Sequence, residues 1–159
     1  MAENLLISKG SKEEKYTLLY KQIVSLTEGE SDTIANMANI AAMIHATFGF
    51  WWTGFYRVCN DELILGPFQG PLACSRIKYG RGVCGTAWKE QCTQVVPDVD
   101  KFPGHIACSS ASRSEIVVPV FSADRTEVTA VLDIDSAELN TFDRTDKEWL
   151  EKIVMVLAQ

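Results

Sequence analysis

The run Glu127-Val-Thr-Ala-Val-Leu-Asp-Ile-Asp135 constrains the fold of this chain more than any other stretch. Its β-branched and aliphatic residues suit a paired strand, and a strand sends successive side chains to opposite faces. Val131, Asp133 and Asp135 therefore share one face and Leu132 and Ile134 the other, so two carboxylates project together into whatever Val131 helps to wall. A second β-patterned run, residues 115–121, precedes it across the turn at residues 122–126. The two read as neighbouring antiparallel strands that close a sheet.

The remaining pattern supplies partners for that sheet. Leu18, Leu19, Ile23, Val24 and Leu26 recur at helical spacing and predict a helix over residues 12–27. Glu28-Gly-Glu-Ser31 breaks it, and Ser31 or Asp32 caps a second helix with Ile34, Met37, Ala38, Ile40, Ala41 and Ile44 on one face. His45, beside that face, reads as a packed helix residue. Residues 50–58 and 62–65 then predict a hairpin turning at Asn60-Asp61, with Gly66-Pro-Phe-Gln-Gly-Pro71 as a turn-rich connection. Trp52, Gly54 and Tyr56 share one face of its first strand. Gly54 leaves a gap between those aromatics that either admits a ligand or marks a bulge in the core.

Residues 73–79 predict a short strand, residues 83–90 a short helix opening after Gly80-Arg-Gly82, and residues 94–96 another short strand. A long loop over residues 99–114 follows, of the length that compact domains reserve for function or leave disordered. Thr141-Phe-Asp-Arg-Thr-Asp-Lys-Glu-Trp149 opens a final amphipathic helix that runs on through Leu157. Together these predict an α+β fold, a central antiparallel sheet with flanking N-terminal helices and a C-terminal helix. Residues 1–11 read as a lead-in and residues 12–159 as one domain, a size that buries a full core.

Composition narrows the function classes. With 15 basic and 21 acidic side chains the net charge is −6, which argues against a nucleic-acid backbone as partner. No apolar run approaches the length of a membrane span, and the N-terminus has no secretory pattern, so the expected compartment is the cytoplasm. Five cysteines, Cys59, Cys74, Cys84, Cys92 and Cys108, are an odd count without a CxxC pair, and only two histidines accompany them. A disulfide scaffold and a closed zinc site both lack support, and no metal or cofactor is expected. Cysteine redox chemistry is the better candidate.

Cys108 carries that expectation furthest. It lies in Gly104-His-Ile-Ala-Cys108-Ser-Ser-Ala-Ser, a polar loop of small residues just before a strand, where a reactive thiol is reachable. Cys84 falls in the first turn of the predicted short helix, where free amides and the positive helix end favour thiolate. Glu115, Asp133 and Asp135 lie on the strands that the Cys108 loop adjoins. Three crowded carboxylates do not all ionise cheaply, so at least one should be protonated near neutral pH, and Glu115 is the first choice for that acid.

Several blocks now stand in one order: Trp52-Thr-Gly-Phe-Tyr56, Leu65-Gly-Pro-Phe-Gln-Gly70, Gly80-Arg-Gly-Val-Cys-Gly-Thr-Ala87, Gly104-His-Ile-Ala-Cys108, Ser114-Glu-Ile-Val-Val-Pro119 and Val131-Leu-Asp-Ile-Asp-Ser136. Over roughly residues 32–158 the chain resembles the free methionine-(R)-sulfoxide reductases, which are single GAF domains. The resemblance implies reduction of free methionine (R)-sulfoxide by cysteine sulfenic acid and disulfide chemistry, recycled by thioredoxin. It implies that Cys108 attacks, that Cys84 resolves the sulfenic acid, and that Cys74 is an auxiliary thiol that can form an alternative disulfide. Cys59 and Cys92 fall outside the blocks and read as small packed residues.

The chemistry agrees with that resemblance. A thiolate attacks the sulfoxide sulfur, an acid protonates the departing oxygen, and a second thiol condenses with the resulting Cys–SOH. The remaining carboxylates, Asp133 and Asp135, pair with the α-ammonium of a free amino acid, while Trp52 and Tyr56 pack on its S-methyl group. The same anions should deplete the Cys108 thiolate; Arg113, Arg76 or a helical turn at Ser109 are the candidates to offset them. The alternatives are a non-catalytic GAF domain that senses a small molecule, and a silent scaffold. A homodimer is compatible with the sequence, which does not fix the oligomeric state.

Overall fold

The computed structural model describes residues 4–108 and 110–158. Its elements are α1 (Lys12–Thr27), α2 (Thr33–Phe48), β1 (Trp52–Cys59), β2 (Glu62–Gln69), β3 (Arg76–Lys78), α3 (Gly82–Glu90), β4 (Gln94–Val96), β5 (Ser114–Phe121), β6 (Val128–Ser136) and α4 (Arg144–Val154), with short 3-10 turns at Val99–Lys101 and Met155–Leu157. The six strands form one antiparallel sheet in the order β3-β2-β1-β6-β5-β4. The expected α+β architecture is found. No helix among the described residues is long and apolar enough to cross a membrane.

Period-two alternation divides the sheet into two unlike faces. Phe55, Ile116, Val118, Val120, Ala130, Leu132 and Ile134 point into a core shared with α1, α2 and α4. Trp52, Tyr56, Val117 and Val131 point the other way, into a smaller cluster covered by α3 and the turn at Val99. The carboxylates stand on this second face, Asp133 opposite Val117 and, one row further along, Glu115 opposite Asp135.

Local signals explain the helix bounds. Ser11 caps α1 by accepting from the Glu14 amide, Asp32 caps α2 by accepting from the Ala35 amide, and Gly49 ends α2 in the left-handed region. The core stripe of α1 is Tyr16, Leu19 and Ile23, whereas Val24 and Leu26, expected inside, are exposed. Ile34 and Ala38 of α2 are likewise exposed, because its buried face runs through Asn36, Met37, Ile40, Ala41, Ile44 and Thr47. Asp143 and Asp146 form a capping box at α4. Buried Asp146 also accepts from Tyr16 Oη and Lys12 Nζ, both at 2.6 Å, tying α4 to α1.

Strand β2 continues four residues past its expected end at Leu65. Gly54 pairs with Phe68 and Tyr56 with Leu65, so Gly66 and Pro67 together lie opposite Phe55. This bulge accommodates a proline inside the strand, which is why a turn-rich composition coexists with strand structure. The turn after β5 is closed by Asp124, which accepts from Ser122 Oγ and from the amide and hydroxyl of Thr126.

Candidate active site

Strand pairing builds the carboxylate cluster. Asp135 stands between Trp52 on β1 and Glu115 on β5, and Asp133 stands between Gly54 and Val117 in the adjacent row. Glu115 and Asp133 are 5% and 6% exposed. Burial pushes Glu115 well above the ordinary carboxylate range, with the charges of Asp133 and Asp135 adding to it. Burial also raises Asp133, but hydrogen bonding from Glu115 and from the Cys84 thiol opposes the rise. Asp135 is driven well up by burial and by Asp133, against a 2.6 Å hydrogen bond from Ser112 Oγ. Within this group, hydrogen bonding thus favours charge on Asp133, and burial favours the proton on Glu115. Buried Asp133 Oδ1 has no hydrogen-bond partner among the described residues.

Cys84 departs from expectation. It does occupy the first turn of α3, whose cap residue Arg81 makes no side-chain capping bond. The thiol is nonetheless buried, and burial together with Asp133, Glu115 and Asp135 pushes it well above the usual cysteine range. Desolvation and three acids outweigh the helix end, so Cys84 is a protonated thiol. Its sulfur and the carboxyl oxygens of Glu115 and Asp133 lie within 4.8 Å of one another, a spacing that would also suit a metal ion. Proton sharing accounts for the group without one.

Cys108 is joined to Cys74 by a disulfide with a Cα–Cα distance of 5.6 Å across 34 residues, and Cys84, Cys59 and Cys92 are free thiols. Cys59 is half-buried and Cys92 exposed, not packed as expected. Tyr56 Oη donates to the Cys74 carbonyl at 2.8 Å, holding the backbone of that cysteine against the sheet. Of the groups expected to offset the anions near Cys108, Arg76 is paired instead with Glu62 at an exposed sheet edge. The helical turn expected at Ser109 lies outside the described residues.

A cleft brings these groups together: Trp52, Tyr56, Cys84, Cys108, Glu115, Asp133 and Asp135 all line it. The gap at Gly54 is not a ligand pocket. A Cβ there would meet the Phe68 Cβ at 2.4 Å and the Trp52 ring at 2.6 Å, so the aromatics fill it, with Trp52 stacked on Phe68 and Tyr56 at 5.3 and 5.9 Å. Arg81, His105 and Ser112 also line the cleft, though sequence reasoning did not single them out. Arg81, between two glycines at a helix start, was the legible one. Ser112 needed the loop's path to place it beside Asp135.

Comparison with known proteins places this geometry in a family. The GAF domain model matches residues 27–159. GAF domain-containing protein A of Dictyostelium discoideum is 55% identical over 158 residues, covering 99% of each chain. The free methionine-R-sulfoxide reductase of Saccharomyces cerevisiae is 43% identical over 155 residues, covering 92% of this chain and 86% of the yeast protein. This chain belongs to the free methionine-R-sulfoxide reductase family. A crystal structure of the reductase from Neisseria meningitidis, in complex with its substrate, superposes with a TM-score of 0.94 at 50% identity, covering 98% of this chain and 93% of that one. Membership of the free methionine-R-sulfoxide reductases is thus carried by sequence and fold together over nearly the full length.

Proposed function

We propose that this protein reduces free L-methionine (R)-sulfoxide to L-methionine. The observation that carries the reading is a buried Glu115, its carboxyl pushed well above the ordinary range, in the same cleft as Cys108 and beside Asp133 Oδ1, which has no hydrogen-bond partner among the described residues. In the reduced protein the Cys108 thiolate attacks the sulfoxide sulfur while Glu115 delivers its proton to the oxygen. Methionine leaves, and Cys108 retains that oxygen as a sulfenic acid. The Cys74 thiol then attacks this sulfur, water departs, and the Cys74–Cys108 disulfide is the oxidised end of the cycle. That pairing supports Cys74, rather than buried Cys84, as the resolving thiol. Cys84 instead helps to keep Asp133 anionic and the proton on Glu115.

Asp133 and Asp135 receive the α-ammonium, and Trp52 and Tyr56 receive the S-methyl group. A peptide-bound sulfoxide offers a neutral amide at the ammonium position and leaves a buried charge unpaired, at a cost of about 3–5 kcal/mol. Thioredoxin supplies the electrons, and the free thiols support a reducing compartment such as the cytoplasm. The test is methionine formation from the (R)-sulfoxide, the (S)-sulfoxide and the N-acetyl (R)-sulfoxide, with dithiothreitol as donor. Turnover of the first at a rate at least about a hundredfold above the other two is expected. Equal turnover of the free and N-acetylated compounds would contradict the assignment of the carboxylates.

A further inference from the structure

We propose that Leu72, Ile106 and Trp51, which rim the cleft, form the docking surface for a protein dithiol, and that its thiolate attacks the sulfur of Cys108. The proposal rests on the reductase reading, since only that cycle makes the Cys74–Cys108 disulfide a recurrent product.

Leu72 is 89% exposed, the most exposed large hydrophobic side chain among the described residues, and it borders the same cleft as Cys108. It stands two residues before Cys74, as Ile106, 39% exposed, stands two residues before Cys108. Trp51, 38% exposed, borders the cleft with them. The disulfide thus has an apolar side chain beside each of its halves. Leu72 is also held in place: Pro71 precedes it, and the Pro71 carbonyl accepts from Trp52 Nε1 at 3.1 Å. A presented apolar side chain costs little ordering on association, as a docking anchor requires. With 89% of its surface open at the rim of the cleft, Leu72 offers apolar area of the kind that an incoming protein surface covers.

The two sulfurs are not equivalent. Cys108 is exposed, while Cys74 is half-buried with its carbonyl held by Tyr56. The incoming thiolate forms a bond to Cys108 Sγ, the S–S bond breaks, and Cys74 leaves as thiolate and takes a proton. The partner's second thiol then attacks its own sulfur in the mixed disulfide and releases Cys108 as thiolate. Two electrons pass to this protein and the partner ends as a disulfide.

The experiment compares wild type, Leu72→Asp and Leu72→Met with two donors, thioredoxin (with its reductase and NADPH) and dithiothreitol. Leu72→Asp should lower kcat/KM for thioredoxin at least about tenfold, Leu72→Met should leave it near wild type, and the dithiothreitol-driven rate should not change. A thioredoxin whose resolving cysteine is replaced by serine should be trapped on Cys108. Equal loss with both donors, no loss with either, or trapping on Cys74 would overturn the proposal. So would sedimentation showing that Leu72→Asp dissolves a wild-type dimer, which would give the rim to a second copy of the chain. Absence of methionine formation by wild type with dithiothreitol would instead remove the reductase reading, and this proposal with it.

Discussion

Burial and the neighbouring acids Asp133 and Asp135 push the Glu115 carboxyl well above its ordinary range, and this has two measurable consequences. Glu115→Gln preserves size and hydrogen bonding but removes the acidic proton, so the first chemical step should slow by about 10²–10⁴ in single-turnover measurements. The second consequence concerns stability. Because the folded-state pKa is raised, the native protein binds more protons than the unfolded chain between the ordinary value of 4.5 and the raised one. Stability contributed by this group is therefore full below 4.5 and declines as pH rises through that window. Glu115→Gln abolishes the penalty. The melting temperature of the variant relative to wild type should be higher near pH 8 than near pH 5; a difference independent of pH would contradict the account of the cluster.

Helix α3 is the element that completes the site, and its seat depends on a residue with no side chain. A Cβ on Gly85 would meet the Lys78 carbonyl oxygen at 2.7 Å and Gly80 backbone atoms at 3.1 Å, none of which can yield as a flexible side chain would. Gly85→Ala should push α3 off β3, cost about 1–3 kcal/mol in urea denaturation, and lower turnover by moving Cys84 from Asp133. Unchanged stability and turnover would show that the contact relaxes without consequence. The order of helices and strands, and the shared face of Asp133 and Asp135, were legible in the sequence because periodicity and caps are local. Three things were not. The bulge that carries Gly66 and Pro67 inside β2 depends on pairing with Phe55. The burial of Cys84 depends on α3 lying over the carboxylate face, which reverses the effect of the helix end. That Cys108 pairs with Cys74, the auxiliary route of the resemblance, rather than with Cys84 depends on the lead-in to β3 meeting a loop far along the chain, an approach that no local pattern encodes.

The molecule as a whole separates support from chemistry across one sheet. On one face α1, α2 and α4 bury an apolar core, locked by Lys12 and Tyr16 on Asp146. On the other, α3 and the loop carrying Cys108 leave a cleft in which charged groups are buried at a cost in stability that the first face offsets. The central claim is that Cys108 takes the oxidising equivalent from free methionine (R)-sulfoxide and passes it to Cys74. The most direct measurement is a single turnover of the pre-reduced protein without donor, with methionine released per chain quantified and the final disulfide mapped by mass. Wild type and Cys84→Ser should each release about one methionine per chain and end with Cys74 linked to Cys108, as a single two-electron oxidation requires; Cys108→Ser should release none. Methionine released by Cys108→Ser at the wild-type yield, or a wild-type product with Cys74 still free, would contradict it.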